Sequence, residues 1–198
     1  RITTTLQQTL YRYQYGLRGV RGAVLSVGID SFNYQNFLQY ANSRDINYEF
    51  PGSKGFGFIR RVSAANEETY IHKMHTEGRP DFSIRQFKPH DGEKYVIEYI
   101  EPLEVNNAAV GVDIASELNR RSAAEIAMRQ AEPILTAPIR LVQDKNQSLQ
   151  SFLFLLPIYS DSHIPDDEQQ RLEHTIGWSY TPLSIKEVLT SVNVQTDA

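Results

Sequence analysis

Carboxylates concentrated in one part of the chain are the side chains whose types and spacing could most directly support chemistry. Glu98, Glu101 and Glu104 recur at every third position, and Asp113 follows further along. Paired carboxylates can serve as general acid and general base. No nucleophile motif accompanies them, and a surface-facing strand position accounts for Glu98. A small hydrolase or transferase that uses the carboxylates of residues 98–113 therefore stays open as the alternative function.

Two other groups of residues suggest metal or phosphate binding, but each has a simpler explanation. His72 and His75 lie close together on a predicted helix, yet no third ligand stands at a suitable spacing. Gly52, Gly55 and Gly57 lack the Lys-Ser/Thr ending of a phosphate-binding loop, so a turn that enters a strand is favoured. Since the chain also has no cysteine, thiolate chemistry and disulfides are excluded. We expect neither a metal nor another cofactor.

The elements that must position these side chains begin with a long helix. Its apolar residues alternate at spacings of three and four, which is a heptad-like stripe. The stripe consists of Leu10, Tyr13, Leu17, Val20, Val24 and Val27. Gly16, Gly19 and Gly22 recur along the same helix. Because each glycine costs a helix about 1 kcal/mol relative to alanine, we expect another part of the protein to pack closely against the helix backbone at these positions. Two interpretations stay open: the helix lies on its own domain, or it is a stalk that pairs with its twin in a homodimer.

After this helix the pattern changes to short strands separated by helices. Strands are predicted at residues 56–62, 82–87, 95–100, 134–143 and 151–159. Helices are predicted at 64–76 and 117–130, with Ser116 as the cap of the second. An antiparallel sheet of these five strands with flanking helices is an α+β fold.

The rest of the chain continues beyond that sheet. A polar turn is predicted at residues 144–150 and a polar linker at 160–169. A further strand at 175–180 and a helix at 183–192 then predict the start of a second unit, which is too short to complete a sheet.

The charge and hydropathy of the chain exclude some classes of partner. The 198 residues carry a net charge of −4 and the arginines are scattered, which disfavours nucleic-acid binding. No apolar run approaches the ~18 residues of a membrane span. Because the sequence opens at Arg1 without an initiator methionine, we expect a piece of a longer protein. Such a protein would meet the membrane only through flanking spans outside this sequence.

Short motifs spread over almost the whole chain resemble those of bacterial CHASE domains, and their order and spacing together carry the resemblance. The motifs are YGLRGVRG at 15–22, FPG at 50–52, GFGFIRRV at 55–62, YIEP at 99–102, GVD at 111–113, LTAPI at 135–139 and LPIY at 156–159. CHASE domains are extracytoplasmic sensors of histidine kinases and nucleotide cyclases, including diguanylate cyclases. The resemblance implies a long helical stalk followed by two PAS-like subdomains, with the ligand in the membrane-distal one.

For this chain the resemblance implies three segments. They are an N-terminal helical stalk at 1–49, a membrane-distal PAS-like ligand-binding subdomain at 50–159, and a partial membrane-proximal PAS-like subdomain at 160–198. The implied function is that of an extracytoplasmic small-molecule sensor, without enzyme activity of its own, in a receptor with a histidine kinase or diguanylate cyclase output. The implied location is the periplasmic part of an inner-membrane protein.

The resemblance also implies a ligand site within the PAS-like sheet, closed by the helix after Ser116. Asp113 aligns with an aspartate that hydrogen-bonds the ligand, and Leu135 aligns with a residue that lines the pocket. From the residues alone, Asp113 is equally suited to cap the following helix. The ligand-binding residues that we predict are Asp113, Leu135, Tyr99, Ile139, Leu141 and Phe152. The ligand is an unknown small molecule, and an adenine-like compound is one candidate because plant members bind cytokinins.

Overall fold

A mostly antiparallel sheet of seven strands forms the centre of the protein in the computed structural model, which describes residues 2–143 and 150–196. The strands are β1 (Phe56–Val62), β2 (Arg85–Gln86), β3 (Lys94–Glu101), β4 (Val112–Asp113), β5 (Ile134–Leu135), β6 (Ser151–Tyr159) and β7 (Thr175–Ser184). Their order across the sheet is β2-β4-β3-β1-β7-β6-β5, and only the short pair β2–β4 is parallel. The predicted α+β class and the long N-terminal helix are therefore confirmed.

Helices lie on both faces of this sheet. They are α1 (Ile2–Val27), α2 (Tyr34–Asn42), α3 (Ile46–Glu49), α4 (Glu67–Thr76), α5 (Leu103–Asn106), α6 (Leu118–Gln130), α7 (Glu168–His174) and α8 (Ile185–Thr196). The cap of α6 is Glu117, whose side chain accepts from the backbone N–H groups of Asn119 and Arg120, and not Ser116 as predicted. The Ser116 hydroxyl instead accepts from the backbone N–H of Phe87.

The predicted five-strand pattern is corrected by the structure. The segment predicted as a strand at 82–87 is reduced to β2. The segment predicted at 134–143 provides only β5 and an isolated bridge between Ile139 and Ser151, because Pro138 has no N–H to donate to a ladder. Of the predicted turn at 144–150, all but Gln150 lies outside the described residues.

The strand predicted to start a second unit is part of the same sheet, which is the larger correction. Strand β7 lies between β1 and β6, and Tyr180 pairs with Gly57 on one side and with Leu155 on the other. Apolar periodicity reports which residues of a strand are buried but does not report which sheet the strand joins. The prediction therefore found the strand and misplaced it.

Helix α1 packs on its own sheet along the stripe read from the sequence. Four residues of the stripe are fully buried there, namely Tyr13, Leu17, Val20 and Val24. A Cβ atom at Gly16 would clash with the ring of Phe56, and one at Gly19 would clash with the hydroxyl of Tyr40. The expected close packing is thus present. Because the stripe is buried within the protomer, this face of α1 is not available for a second copy.

Helix α6 covers the opposite face of the sheet. Three of its five buried residues are alanines, which lets the helix approach the strands closely: Ala123, Ala124 and Ala127. The indole N–H of Trp178 donates to the carbonyl of Ala124, and the Tyr159 hydroxyl donates to the carbonyl of Met128. These two bonds tie α6 to the sheet.

Candidate functional site

A small cavity lies between the N-terminal turn of α6 and the sheet. Its walls are mainly aliphatic and come from Ile97, Ala109, Val112, Leu141, Val142 and Leu153. Three polar side chains complete the lining, namely Arg120, Gln143 and Tyr180. Mostly apolar walls with a few placed polar groups are typical of small-molecule sites.

The cavity is small for a ligand site. Its empty volume is about 260 Å³ including the mouth, whereas pockets for drug-sized ligands span about 300–1,000 Å³. Most of this volume belongs to the open mouth, and the enclosed part has room for roughly one water molecule. A ligand must therefore be small, or the walls must move to admit it.

The hydroxyl of Tyr180 is a buried polar group without a hydrogen-bond partner among the described residues. Its ring lies against Gly57, where any Cβ atom would clash with it, so the absence of a side chain at that position makes the space for the phenol. Burial raises the pKa of Tyr180 well above its ordinary value, so the group is a neutral phenol at physiological pH. A buried hydroxyl left unpaired costs about 1–3 kcal/mol. A ligand that hydrogen-bonds to it recovers this energy.

Arg120 brings a buried positive charge to the same cavity. Its Nη1 donates to Glu117 at 2.9 Å and its Nη2 donates to the carbonyl of Arg140 at 2.6 Å. The guanidinium lies 4.5 Å from the ring centroid of Phe87. Burial lowers the pKa of Arg120 in spite of the nearby Glu117 carboxylate.

The carboxylate of Asp113 is fully buried, and both of its oxygens already have partners. Oδ1 accepts from the backbone N–H groups of Tyr95 at 2.8 Å and of Ala115 at 3.0 Å. Oδ2 accepts from Nε2 of His90 at 2.7 Å and from Nε2 of Gln86 at 3.2 Å. The bond to Ala115 caps the 3₁₀ turn at 114–116 and not α6 itself. For Asp113 to accept a hydrogen bond from a ligand, one of these partners would have to leave, and this ligand contact stays a prediction.

The remaining residues that we predicted for the site lie in different places. Leu141 lines the cavity, and Ile139 belongs to the same buried cluster. Tyr99 packs on the other face of the sheet with α1 and α2, and Phe152 pairs with Leu183, which also packs on that face. Leu135 is 38% exposed on β5, at the opposite end of the sheet from Asp113. The structure therefore brings only part of the predicted set together.

The polar residues of the cavity were missed by the sequence reasoning. Tyr180 was assigned to a separate unit, so its strand was not considered as a wall of the pocket. Arg120 lies on the helix that was predicted to close the pocket, and a charged residue near the start of a helix indicates solvent more often than a cavity. The usable signal was Gly57, because a glycine inside a strand marks a close approach.

Glu98 is completely buried, so the prediction of a surface-facing position was wrong. The register of β1 against β3 shifts there, which leaves Glu98 in a β-bulge and turns it toward the interior. The Arg60 guanidinium holds it in a two-point ion pair, with Nη2 at 2.8 Å from Oε1. Burial alone would raise the pKa of Glu98, but Arg60 outweighs burial and holds the pKa below its ordinary value.

These contacts bear on the alternative function as a hydrolase or transferase. Glu98 is engaged by Arg60, and Asp113 is engaged by two backbone N–H groups and two side chains. Glu101 accepts from the Tyr34 hydroxyl and from a backbone N–H. None of these carboxylates lines the cavity. No arrangement in the described part of the chain therefore favours acid–base chemistry at these residues.

His72 and His75 were considered as metal ligands from the sequence, and the structure describes the surroundings of His75. His75 contacts the carbonyl of Phe82 through Nε2, at 2.8 Å. Within the described ranges 2–143 and 150–196, no group of three His, Asp or Glu side chains is placed to hold a metal ion. Among the same residues, no helix combines the length and the apolarity that a bilayer crossing requires.

Comparison with known proteins adds a family and a fold likeness. The family model described as "CHASE domain" matches residues 30–198. No curated protein matches the sequence significantly. A solved structure described as an extracellular ligand binding receptor from Desulfohalobium retbaense is similar, with a TM-score of 0.51 at 12% identity. The match covers 96% of this chain and 25% of that one, so this chain spans a quarter of the length of that structure. At this identity the likeness concerns the fold.

Proposed function

Because this chain belongs to the CHASE domain family, we propose that it is the extracytoplasmic small-molecule sensor of a membrane-bound signalling receptor. The single observation that carries the proposal is the cavity beneath α6, whose lining includes Tyr180, a residue with a buried and unpaired hydroxyl. A buried polar group that lacks a partner is costly in a protein that has no use for it. The similar structure is described as a ligand-binding receptor, which supports the same interpretation.

The wider setting of the sensor belongs to the same proposal. We place the domain in the periplasmic part of an inner-membrane protein, with a histidine kinase or diguanylate cyclase as output. The support is the family, whose members are sensory domains of such receptors. Sequencing the regions of the gene on either side of this chain is the test. A flanking segment that encodes neither a membrane span nor a signalling domain would contradict the proposed setting.

The ligand-contacting residues that we propose are Ile97, Leu141, Leu153 and Tyr180, because these line the cavity. Asp113 lies next to that wall, since Val112 lines the cavity and Asp113 follows it in β4. An adenine-like ligand would need partners for several ring nitrogens as well as room for two fused rings. The cavity as it stands offers little volume for them, so adenine enters the experiments as a test compound.

The proposed function is tested by thermal shift against a library of small metabolites. A ligand present at 100 times its Kd stabilises the folded state by about 2.7 kcal/mol, which is a readily measured rise in Tm. We expect at least one compound to stabilise the wild-type chain. The same compound should fail with Ala109→Met, because a longer side chain at this buried position fills the cavity.

The neighbouring residue provides a matched control. Ala108 lies in the same 3₁₀ turn but is exposed, so Ala108→Met adds the same side chain outside the cavity. This variant should respond to the compound as the wild type does. A library without any stabilising compound, or stabilisation that persists in Ala109→Met, would contradict a sensor site in this cavity.

We also propose that the domain forms a homodimer through the solvent-facing side of α1. Tyr11 and Tyr15 are 62% and 66% exposed, and Arg18 lies over the ring of Tyr15. Together with the open Gly22, these residues repeat at spacings of four and three, the pattern of two helices packed side by side. A second copy of the chain presents the same helix and fits this stripe. Sedimentation of the wild type against Tyr15→Glu is the test, and equal behaviour of the two would contradict the dimer.

A further inference from the structure

The polar groups of the cavity beneath α6 carry information about the chemical class of its ligand. Two of them are hydrogen-bond donors: the neutral phenol of Tyr180, which has no partner, and the guanidinium of Arg120. Gln143 already donates its amide N–H to Asn106. The N–H groups of Arg120 can only donate, so they match a ligand that accepts hydrogen bonds, and the Tyr180 hydroxyl can donate to the same acceptor.

Arg120 adds a requirement for negative charge. A guanidinium has five N–H groups, and the two bonds to Glu117 and to the carbonyl of Arg140 use two of them. Glu117 lies on the outer side and is partly exposed, whereas Arg120 is almost fully buried. An anion within the cavity would accept from the N–H groups of Arg120 that these two bonds leave. The planar fork of an arginine matches a carboxylate in particular.

The rest of the lining restricts the remainder of the ligand. The other lining side chains are mainly aliphatic and include Ile97, Leu141 and Leu153. Because the cavity has room for roughly one water molecule, every organic ligand requires the walls to move, and a large or flat ring system requires the largest movement. A short branched hydrocarbon requires a smaller movement and buries its surface against these side chains.

We propose that the cavity binds a small aliphatic monocarboxylate, with the carboxylate between Arg120 and Tyr180 and a short branched chain against the aliphatic wall. This assignment rests on the proposed sensor function, because it names the ligand class of the same cavity. It adds two polar contacts that neither the family resemblance nor the sequence assigned.

The experiment measures binding to the 198-residue chain by isothermal titration calorimetry, with isobutyrate and isovalerate as probes. Isobutyramide has nearly the same shape as isobutyrate but no charge, so it isolates the contribution of the carboxylate. Adenine represents the other ligand class. We expect millimolar or tighter binding of the acids and at least tenfold weaker binding of the amide.

Two variants locate the carboxylate. Tyr180→Phe removes only the hydroxyl and breaks no hydrogen bond of the described structure, so the variant should fold normally. It should weaken isobutyrate binding by about tenfold, because the carboxylate loses one hydrogen bond. Tyr70→Phe is its control, because it removes another buried hydroxyl, which belongs to a different cluster from the cavity. Arg120→Gln should weaken the acids more than the amide. Arg121→Gln, at an exposed neighbouring position, should change neither affinity.

The outcomes separate this assignment from the proposed function. Equal affinity for acid and amide, or binding of adenine that depends on Tyr180, would overturn the carboxylate class and leave the sensor cavity standing. Acid binding that is unchanged in Tyr180→Phe would also overturn the assignment, because the site would then lie elsewhere. Both the assignment and the proposed function fail if every compound that binds the wild type also binds Ala109→Met, or if no compound binds at all.

Discussion

Replacing Asp113 with alanine removes a fully buried carboxylate that joins three short segments of the chain. It accepts backbone hydrogen bonds from Tyr95 in β3 and from Ala115 in the following turn, and side-chain bonds from His90 and Gln86. The alanine variant leaves these donors without an acceptor, and the backbone N–H groups of Tyr95 and Ala115 are buried away from water. We therefore expect the main effect on folding stability.

The magnitude follows from these bonds. Loss of a cap at a helical turn costs about 1 kcal/mol. A buried donor left unsatisfied costs a further 1–3 kcal/mol or so, and the N–H of Tyr95 is such a donor. The sum predicts a loss of about 3 kcal/mol in the free energy of unfolding. Asp113→Asn should lose less, because its amide oxygen can still accept from Tyr95 and Ala115.

Urea unfolding measures this loss directly, and the fluorescence of Trp178 is a convenient probe because it is the one tryptophan of the sequence and is fully buried. The affinity for a compound that binds beneath α6 is measured on the same variant under native conditions. We expect lower stability with an affinity within about twofold of the wild type. Wild-type stability together with an affinity lowered by about 1.5–3 kcal/mol, the range for hydrogen bonds to charged groups, would refute this reasoning and restore Asp113 as the ligand contact.

Three further predictions concern the sheet. Gly57→Ala should lower the free energy of unfolding by about 1–3 kcal/mol and weaken ligand binding, because its Cβ would clash with the Tyr180 ring. Chemical unfolding measures the first effect and calorimetry the second. Gly22→Ala is the control, because Gly22 is at an open position. Glu98→Gln should cost about 3 kcal/mol at neutral pH, because it leaves the buried Arg60 without its partner. Folding lowers the pKa of Glu98, so its ion pair with Arg60 stabilises the folded state at every pH above the ordinary pKa of a glutamate. This stabilisation is lost as the pH falls through the lowered pKa of the folded state. The free energies of unfolding of the wild type and Glu98→Gln should therefore converge only in acid. A chain that ends after Tyr159 should not fold, because it lacks the central strand β7, and a dispersed NMR spectrum from that truncation would show that residues 50–159 form a unit of their own.

Local patterns predicted the parts of the fold that depend on neighbours in the sequence. The long helix, the strand at 56–62, the strand at 95–100 and the strand at 151–159 all follow from periodicity, and the close packing at Gly16 follows from its cost in a helix. The α6 cap moved by one residue, which is the usual uncertainty of helix ends.

The parts that were missed depend on residues far apart in the sequence. Strand alternation placed Glu98 at the surface, but the bulge opposite β1 turns it inward to meet Arg60. The position of Tyr180 depends on β7 joining the centre of the sheet, which no local pattern encodes. The contacts of Asp113 likewise come from three segments that only the tertiary fold brings together.

Strand β7 passes directly into helix α8, since Ser184 ends the strand and Ile185 begins the helix. The strand that carries Tyr180 is therefore joined to α8 without a flexible loop that could absorb a movement of the strand. A ligand that hydrogen-bonds to the Tyr180 phenol would shift β7, and the shift would be passed on to α8 because the two elements are continuous. Displacements of a fraction of an ångström at the cavity would then reach α8 as a tilt or a translation of the whole helix, in the way that packed elements shift in switching proteins.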